Sequence, residues 1–109
     1  MVVPRNLNNL SNEITKSHEN IRVSEINDSC LRLAVNEGEF PWHFHANSDE
    51  LFIVLEGELI IELLDRPPVT LKPHDIFLVP KKITHRTRAN GRTVNLCIEK
   101  TEADTTFIN

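Results

Sequence analysis

The sequence has no tyrosine, one tryptophan, one methionine, two cysteines and three glycines in 109 residues. Each shortage excludes something. Cys30 and Cys97 form no Cys-x-x-Cys pair and sit far apart in apolar, strand-like runs, so a thiolate zinc site, a dithiol redox centre and a disulfide scaffold are disfavoured. Both are expected to be buried free thiols acting as small hydrophobes. No window approaches the roughly 18 consecutive apolar residues of a membrane helix. The start Met-Val-Val-Pro-Arg-Asn also lacks an apolar signal core, so no membrane partner is expected and the cytoplasm is the expected compartment. Positive charge is short as well. Lys and Arg number 12 against 16 Asp and Glu, a net charge of -4, which argues against nucleic acid as a partner. The local basic group Lys81, Lys82, Arg86 and Arg88 reads as a solvated turn and an outward strand face. The length and the 39% hydrophobic content suit one domain. It divides into an arm and helix over about 1–20, a barrel over about 21–100 and a tail over about 101–109.

Helical periodicity is nearly absent too. Asn6 is placed to cap one short helix carrying Leu7, Leu10 and Ile14 on a single stripe. Beyond it, short apolar runs and turn residues alternate. Asn27-Asp28-Ser29 separates a hairpin, Glu37-Gly38-Glu39 is a break, and strands follow at 51–56, 59–65, 69–72 and 76–79. The turns between them are expected at Glu56-Gly57-Glu58, Arg66-Pro67-Pro68 and Pro73-His74-Asp75. Asn90-Gly91 is expected to form a tight hairpin turn between strands 85–89 and 92–100. Eight to ten short strands without intervening helices predict an all-β sandwich or barrel. Phe107 and Ile108 give the tail a means of docking.

Histidine is sparse, at five residues, yet two fall in Trp42-His43-Phe44-His45-Ala46-Asn47-Ser48-Asp49-Glu50. In an extended segment side chains alternate faces, so His43 and His45 project together while Trp42 and Phe44 project away. A turn at 46–49 then lets Glu50 face the imidazoles, the ligand set of a facial triad with open positions on a divalent metal. In strand 85–89 the same alternation puts His85, Thr87 and Ala89 on the interior face and Arg86 and Arg88 outside, which makes His85 the fourth ligand. Phe52 and Val54 share the parity of Glu50. With Thr87 they are expected to line a largely apolar pocket beside the metal. His18 reads as a surface residue and His74 as a turn residue.

These residues resemble the cupin superfamily. Gly38, His43, His45, Glu50 and Gly57 fit its first motif, and Pro80 and His85 fit its second, where His74 and Lys82 stand in place of glycines and Ala89 in place of asparagine. The resemblance implies a double-stranded β-helix, or jelly-roll barrel, with metal ligation by His43, His45, Glu50 and His85. Iron, manganese, nickel, zinc and copper all suit such donors, and the competing reading is a metal-free, hydrogen-bonded polar cluster. The resemblance further implies a dioxygenase, a sugar-phosphate isomerase or a non-catalytic small-molecule binding module. The isomerase is disfavoured because no inward Lys or Arg clamp is readable. No catalytic residue beyond the ligands is assigned, since Glu56 and Glu62 read as exposed strand positions. Leu7, Leu10, Ile14, Trp42 and Phe44 need covering, and single-domain members resemble dimers, so a homodimer is expected.

Overall fold

The computed structural model describes residues 3–108. Asn6 caps helix α1 (Leu7–Asn12), its side-chain oxygen accepting from the Asn9 backbone N–H. Eight strands follow: β1 (Glu19–Ile26), β2 (Ser29–Phe44), β3 (Glu50–Glu56), β4 (Leu59–Leu63), β5 (Arg66–Leu71), β6 (Ile76–Val79), β7 (His85–Lys100) and β8 (Thr106–Phe107). All pairings are antiparallel, in the order β1-β2-β7-β3-β6, with β4 joined to β5 and β7, and β8 joined to β2. The C-terminal half of β7 pairs β3, from Leu51 opposite Ile98 to Glu56 opposite Val94. Its N-terminal half pairs β4, from Ile60 opposite Arg88 to Leu63 opposite His85. One strand thus serves both walls of a jelly-roll barrel.

Two expected breaks are absent. β2 runs through Glu37-Gly38-Glu39, and β7 runs through Asn90-Gly91, which forms no hairpin. Between the pairs Asn36–Thr93 and Gly38–Ala89, Glu37 alone faces Asn90, Gly91 and Arg92. That bulge is where both long strands bend to pass from one wall to the other. Gly38 takes φ +92 there, whereas Gly91 has ordinary negative-φ geometry. The Asn-Gly pair has the local signature of a turn, but a second long strand pairs on both sides of it, which sequence alone does not show. The turn expected at Arg66-Pro67-Pro68 falls instead at Leu64-Asp65. Both prolines lie in β5, which pairs only β4, and an edge strand tolerates a missing donor.

The central strands β2 and β7 are buried on both sides. Inside the barrel, Phe52, Val54, Leu59, Ile61, Leu63, Leu71 and Val79 pack with Cys97. Outside it, Leu33, Val35, Val94 and Leu96 are covered by Ile14 together with Leu7 and Leu10 of the helix stripe. Arg92 fixes that helix by donating to the Ile14 and Ser11 carbonyls. The helix stripe is therefore satisfied within the chain, and it does not cover Trp42. The Trp42 ring lies under the Arg86 guanidinium, 4.9 Å from it, on the outer face.

His74 and Lys82, the two positions where the resemblance expects glycine, have φ +78 and +74. The fold demands a left-handed residue at each, and each N–H is anchored, Lys82 to the His45 carbonyl at 2.7 Å and His74 to that of Val54 at 2.8 Å. A side chain in that region costs about 1–2 kcal/mol, part of which the greater unfolded-state freedom of glycine offsets. Lys82→Gly and His74→Gly should each raise stability by roughly 0.5–1 kcal/mol in denaturant titrations. A loss of stability in both would contradict the strain argument.

Candidate metal centre

His43 is the penultimate residue of β2, His45 follows directly after that strand, Glu50 opens β3 and His85 opens β7. The β2–β7 register sets His43 opposite His85. An extra residue at Pro41-Trp42, where proline cannot join the ladder, re-aims β2 just before the histidines. All four side chains are buried, His85 fully at 0% exposure. One donor atom from each lies within 4.8 Å of all the others.

Backbone carbonyls fix the tautomers. Nδ1 of His43 lies 2.8 Å from the Pro41 oxygen, Nδ1 of His45 2.7 Å from that of Asp104 and Nδ1 of His85 2.9 Å from that of Ile83. A carbonyl only accepts, so each Nδ1 carries hydrogen and each neutral ring turns its Nε2 lone pair elsewhere. Nε2 of His45 and of His85 face the same Glu50 oxygen, Oε1, at 3.1 and 3.2 Å. Acceptors facing acceptors need a proton or a cation between them. Neutral imidazole nitrogens and a carboxylate are donors that suit a divalent transition metal, so the residues present fit such an ion. The cluster could bind a metal through His43, His45, Glu50 and His85.

Glu50 is held further by Cys97, whose thiol donates to Oε2 at 2.8 Å. Burial, with the Glu50 charge and hydrogen bond added, pushes the Cys97 thiol well up, so it keeps its proton. Burial pushes the Glu50 carboxyl up, but hydrogen bonds from protonated His45 and from Cys97 outweigh it and leave the group well below the usual carboxylate range. Burial likewise pushes His45 down, yet the Glu50 hydrogen bond and charge raise it to about 9. Burial lowers His43. Without metal, His45 carries the proton that answers the Glu50 charge.

The tail takes part. Asp104 N–H donates to Asn47 Oδ1, Ala46 N–H donates to Asp104 Oδ1, and Asn47 Nδ2 donates to the Glu102 carbonyl. This clasp presents the Asp104 carbonyl to His45, with the Thr105 hydroxyl 3.2 Å from the same Nδ1. β8 then sets Phe107 opposite His43 in the β2 ladder.

A cavity of about 520 Å³ opens beside the cluster. Phe52 and Thr87 line it, as the strand parity predicts, but Val54 does not. Val54 faces inward at the closed apolar end, packed among Leu59, Ile61 and Val79. Most of the cavity lining is apolar, as expected, and one stretch of it is polar. Arg32, Asn36, Asn95 and Glu99 form that polar stretch of the lining, which Phe40, Phe52 and Phe107 also share. Arg32 Nε is 3.3 Å from Glu99 Oε1, and Asn36 Nδ2 donates to Asn95 Oδ1 at 2.6 Å. Sequence reasoning missed these because Leu31, Leu33 and Val35 draw attention to the outer face of β2. The signal was the intervening set, Arg32, Ala34 and Asn36, in a strand buried on both faces. Cys97, read as an inert hydrophobe, also belongs to the site. His74 is exposed and outside it, and His18 is an exposed residue at the cavity edge. Arg86 and Arg88 pair with Glu62, and Glu56 with Arg92, away from the cavity.

The sequence matches the Cupin_2 family, described as Cupin domain, over residues 30–99. This chain is a cupin. It is 52% identical over 104 residues to the uncharacterized protein YdbB of Bacillus subtilis (strain 168), covering 95% of this chain and 92% of that one. Among solved structures, a cupin-2 domain containing protein from Shewanella frigidimarina is 33% identical with a TM-score of 0.83, over 88% of this chain and 93% of that one. Protein NMB1881 from Neisseria meningitidis is 22% identical with a TM-score of 0.82, over 91% and 100%. That last likeness shows the fold alone. The tail that clasps His45 in this cupin lies beyond the matched span.

The His45–Glu50 pair gives a pH test. A histidine whose folded value rises from 6.5 to about 9 contributes stability that is complete below about 6.5 and is lost as pH rises through about 9. Between pH 7 and 9 folded Glu50 stays ionised and folded His43 stays neutral, while the raised Cys97 thiol keeps its proton and changes stability in the same direction as His45. The metal-free cupin should therefore lose stability from pH 7 to 9, and metal uptake at pH 7 should release about one proton. Calorimetric titration in buffers of differing ionisation enthalpy measures that proton. Uptake with no proton release would contradict the assignment.

Proposed function

We propose that this cupin holds one divalent transition metal through His43, His45, His85 and Glu50 and acts through it on a small oxygenated molecule, with a dioxygenase as the favoured reaction class. The convergence of imidazole lone pairs on a buried carboxylate supports this reading. When bound, the ion supplies Lewis-acid polarisation and, as iron, the electron chemistry that dioxygen requires. The chain's own part is positioning. Carbonyls of Pro41, Ile83 and Asp104 orient the rings, and Cys97 orients the carboxylate. Glu99, raised by burial and by the Glu50 charge, is a cavity carboxyl placed to exchange a proton. A sugar-phosphate isomerase is less suited, because Arg86 and Arg88 are committed to Glu62 away from the cavity, and the charge of Arg32, which does line the cavity, is balanced by Glu99. A non-catalytic binding module is the second reading, favoured by the Arg32–Glu99 and Asn36–Asn95 pairs, which can recognise a ligand without turnover. Two buried free thiols suit a reducing compartment, in keeping with the cytoplasm. Among the described residues no helix is long and apolar enough to cross a membrane.

Protein purified without added metal should contain about one transition-metal ion per chain, and His45→Ala or His85→Ala should lower that content at least about tenfold. Absence of metal from the wild type, or unchanged content in both variants, would sink the proposal. Oxygen uptake by the Fe(II)-loaded protein with small diols and thiols separates the two readings. Saturable binding with zero turnover favours the module.

A homodimer is also proposed, resting on Ile76 and Leu78, which β6 exposes at 64% and 48% at one end of the sheet path. Light scattering after size exclusion should give twice the 12.5 kDa chain mass. A monomer at micromolar concentration removes the claim.

A further inference from the structure

We infer that the polar wall of the cavity is a recognition site for a neutral polyhydroxylated molecule, with Arg32 and Glu99 as the specificity-determining pair. Arg32 and Glu99 project into the barrel from β2 and β7, whose register places Arg32 opposite Cys97, two residues from Glu99. The guanidinium Nε is ion-paired with Glu99 Oε1 at 3.3 Å, and Nη1 donates to Asn20 Oδ1 at 3.4 Å. A guanidinium has five N–H donors, so most of this fork faces the cavity with no partner among the described residues. Glu99 is the complementary half. Its Oε2 is buried, and no described residue donates to it, a condition that costs free energy until a donor arrives. The terminal carboxyl torsion is soft and two-fold, so either oxygen can be offered to a ligand.

A guanidinium donor beside a carboxylate acceptor matches adjacent hydroxyl groups, each of which both accepts and donates. Asn95 and Asn36, joined to each other, repeat the donor-acceptor pattern further along the wall. Charge also favours a neutral ligand, since Arg32 is already balanced by Glu99 and Glu19 adds a further carboxylate at the lining. A free carboxylate or phosphate would compete with Glu99 for the same fork. In the same lining, Phe40 and Phe107 lie 5.8 Å apart beside His43, a surface for the C–H face of such a molecule. The volume of about 520 Å³ admits a molecule up to the size of a monosaccharide. For the end of the ligand that meets the histidine cluster, the inference rests on the proposed metal. The wall itself does not.

The test is calorimetric titration and amide NMR of the full-length protein, metal-free and metal-loaded, with glycerol, erythritol and glucose. Succinate and the matched deoxy compounds serve as controls. Metal content is measured in every sample. Saturable polyol binding is expected, shifting the Asn36 and Asn95 side-chain amides, with succinate and the deoxy compounds at least about tenfold weaker. Glu99→Gln, nearly isosteric, and Arg32→Met should each weaken polyol binding about tenfold or more at unchanged metal content. Failure of every polyol to bind the metal-loaded wild type overturns the inference, as does preferential binding of succinate or unchanged binding in both variants. Polyol binding that depends on Glu99 in a protein that takes up no metal upholds the inference while removing the proposed metal function.

Discussion

The antiparallel pairing of β2 with β7 is the contact on which the rest of this molecule depends. Both are 16-residue strands, and both bend at one level, where Glu37 faces Asn90 to Arg92. On one side of the bend they bury Leu33, Val35, Val94 and Leu96 under the N-terminal helix. On the other they bring His43 opposite His85 at the mouth of the barrel. Gly57 belongs to the same region, since a Cβ there would meet the Arg92 carbonyl oxygen at 2.6 Å. Its φ of +77 makes the requirement for glycine double.

What that pairing assembles is a conflict of charge. Three rings held in one tautomer by backbone carbonyls, and a carboxylate held by a thiol, bring acceptors together where water is largely excluded. Such an arrangement is unfavourable empty and favourable around a cation, and that is the physical content of a metal-competent site. The proton on His45, favoured by the Glu50 carboxylate that raises this ring to about 9, is the substitute available without metal. Few of the groups orienting the ligands come from ligand side chains. They come from Pro41, Ile83, Cys97 and Asp104, spread over β2, the loop before β7, β7 itself and the tail.

Much of this was legible in the sequence, because alternation in a strand is a local rule. His43 with His45, Glu50 with Phe52, and His85 with Thr87 follow from parity. So do the outward Arg86 and Arg88, and the cap at Asn6 is equally local. The reading failed where a longer-range partner decides. Asn90-Gly91 looks like a turn until β2 pairs on both sides of it. Arg32 and Glu99 look like surface charges until the helix makes the opposite face of β2 a second core. Val54 has the right parity but lies at the closed apolar end, a depth that alternation does not encode. His74 and Lys82 are the instructive departures from the cupin pattern. The left-handed backbone persists without the glycine that would ease it.

The central claim is that His43, His45 and His85 present neutral nitrogens to one ion together with Glu50. X-ray absorption at the metal edge of the loaded protein tests it most directly, because multiple scattering from imidazole rings counts the histidines. The account predicts three imidazoles and one carboxylate oxygen at the ion, with one imidazole fewer in His85→Ala. A spectrum with no imidazole scattering, or one unchanged by His85→Ala, would contradict it.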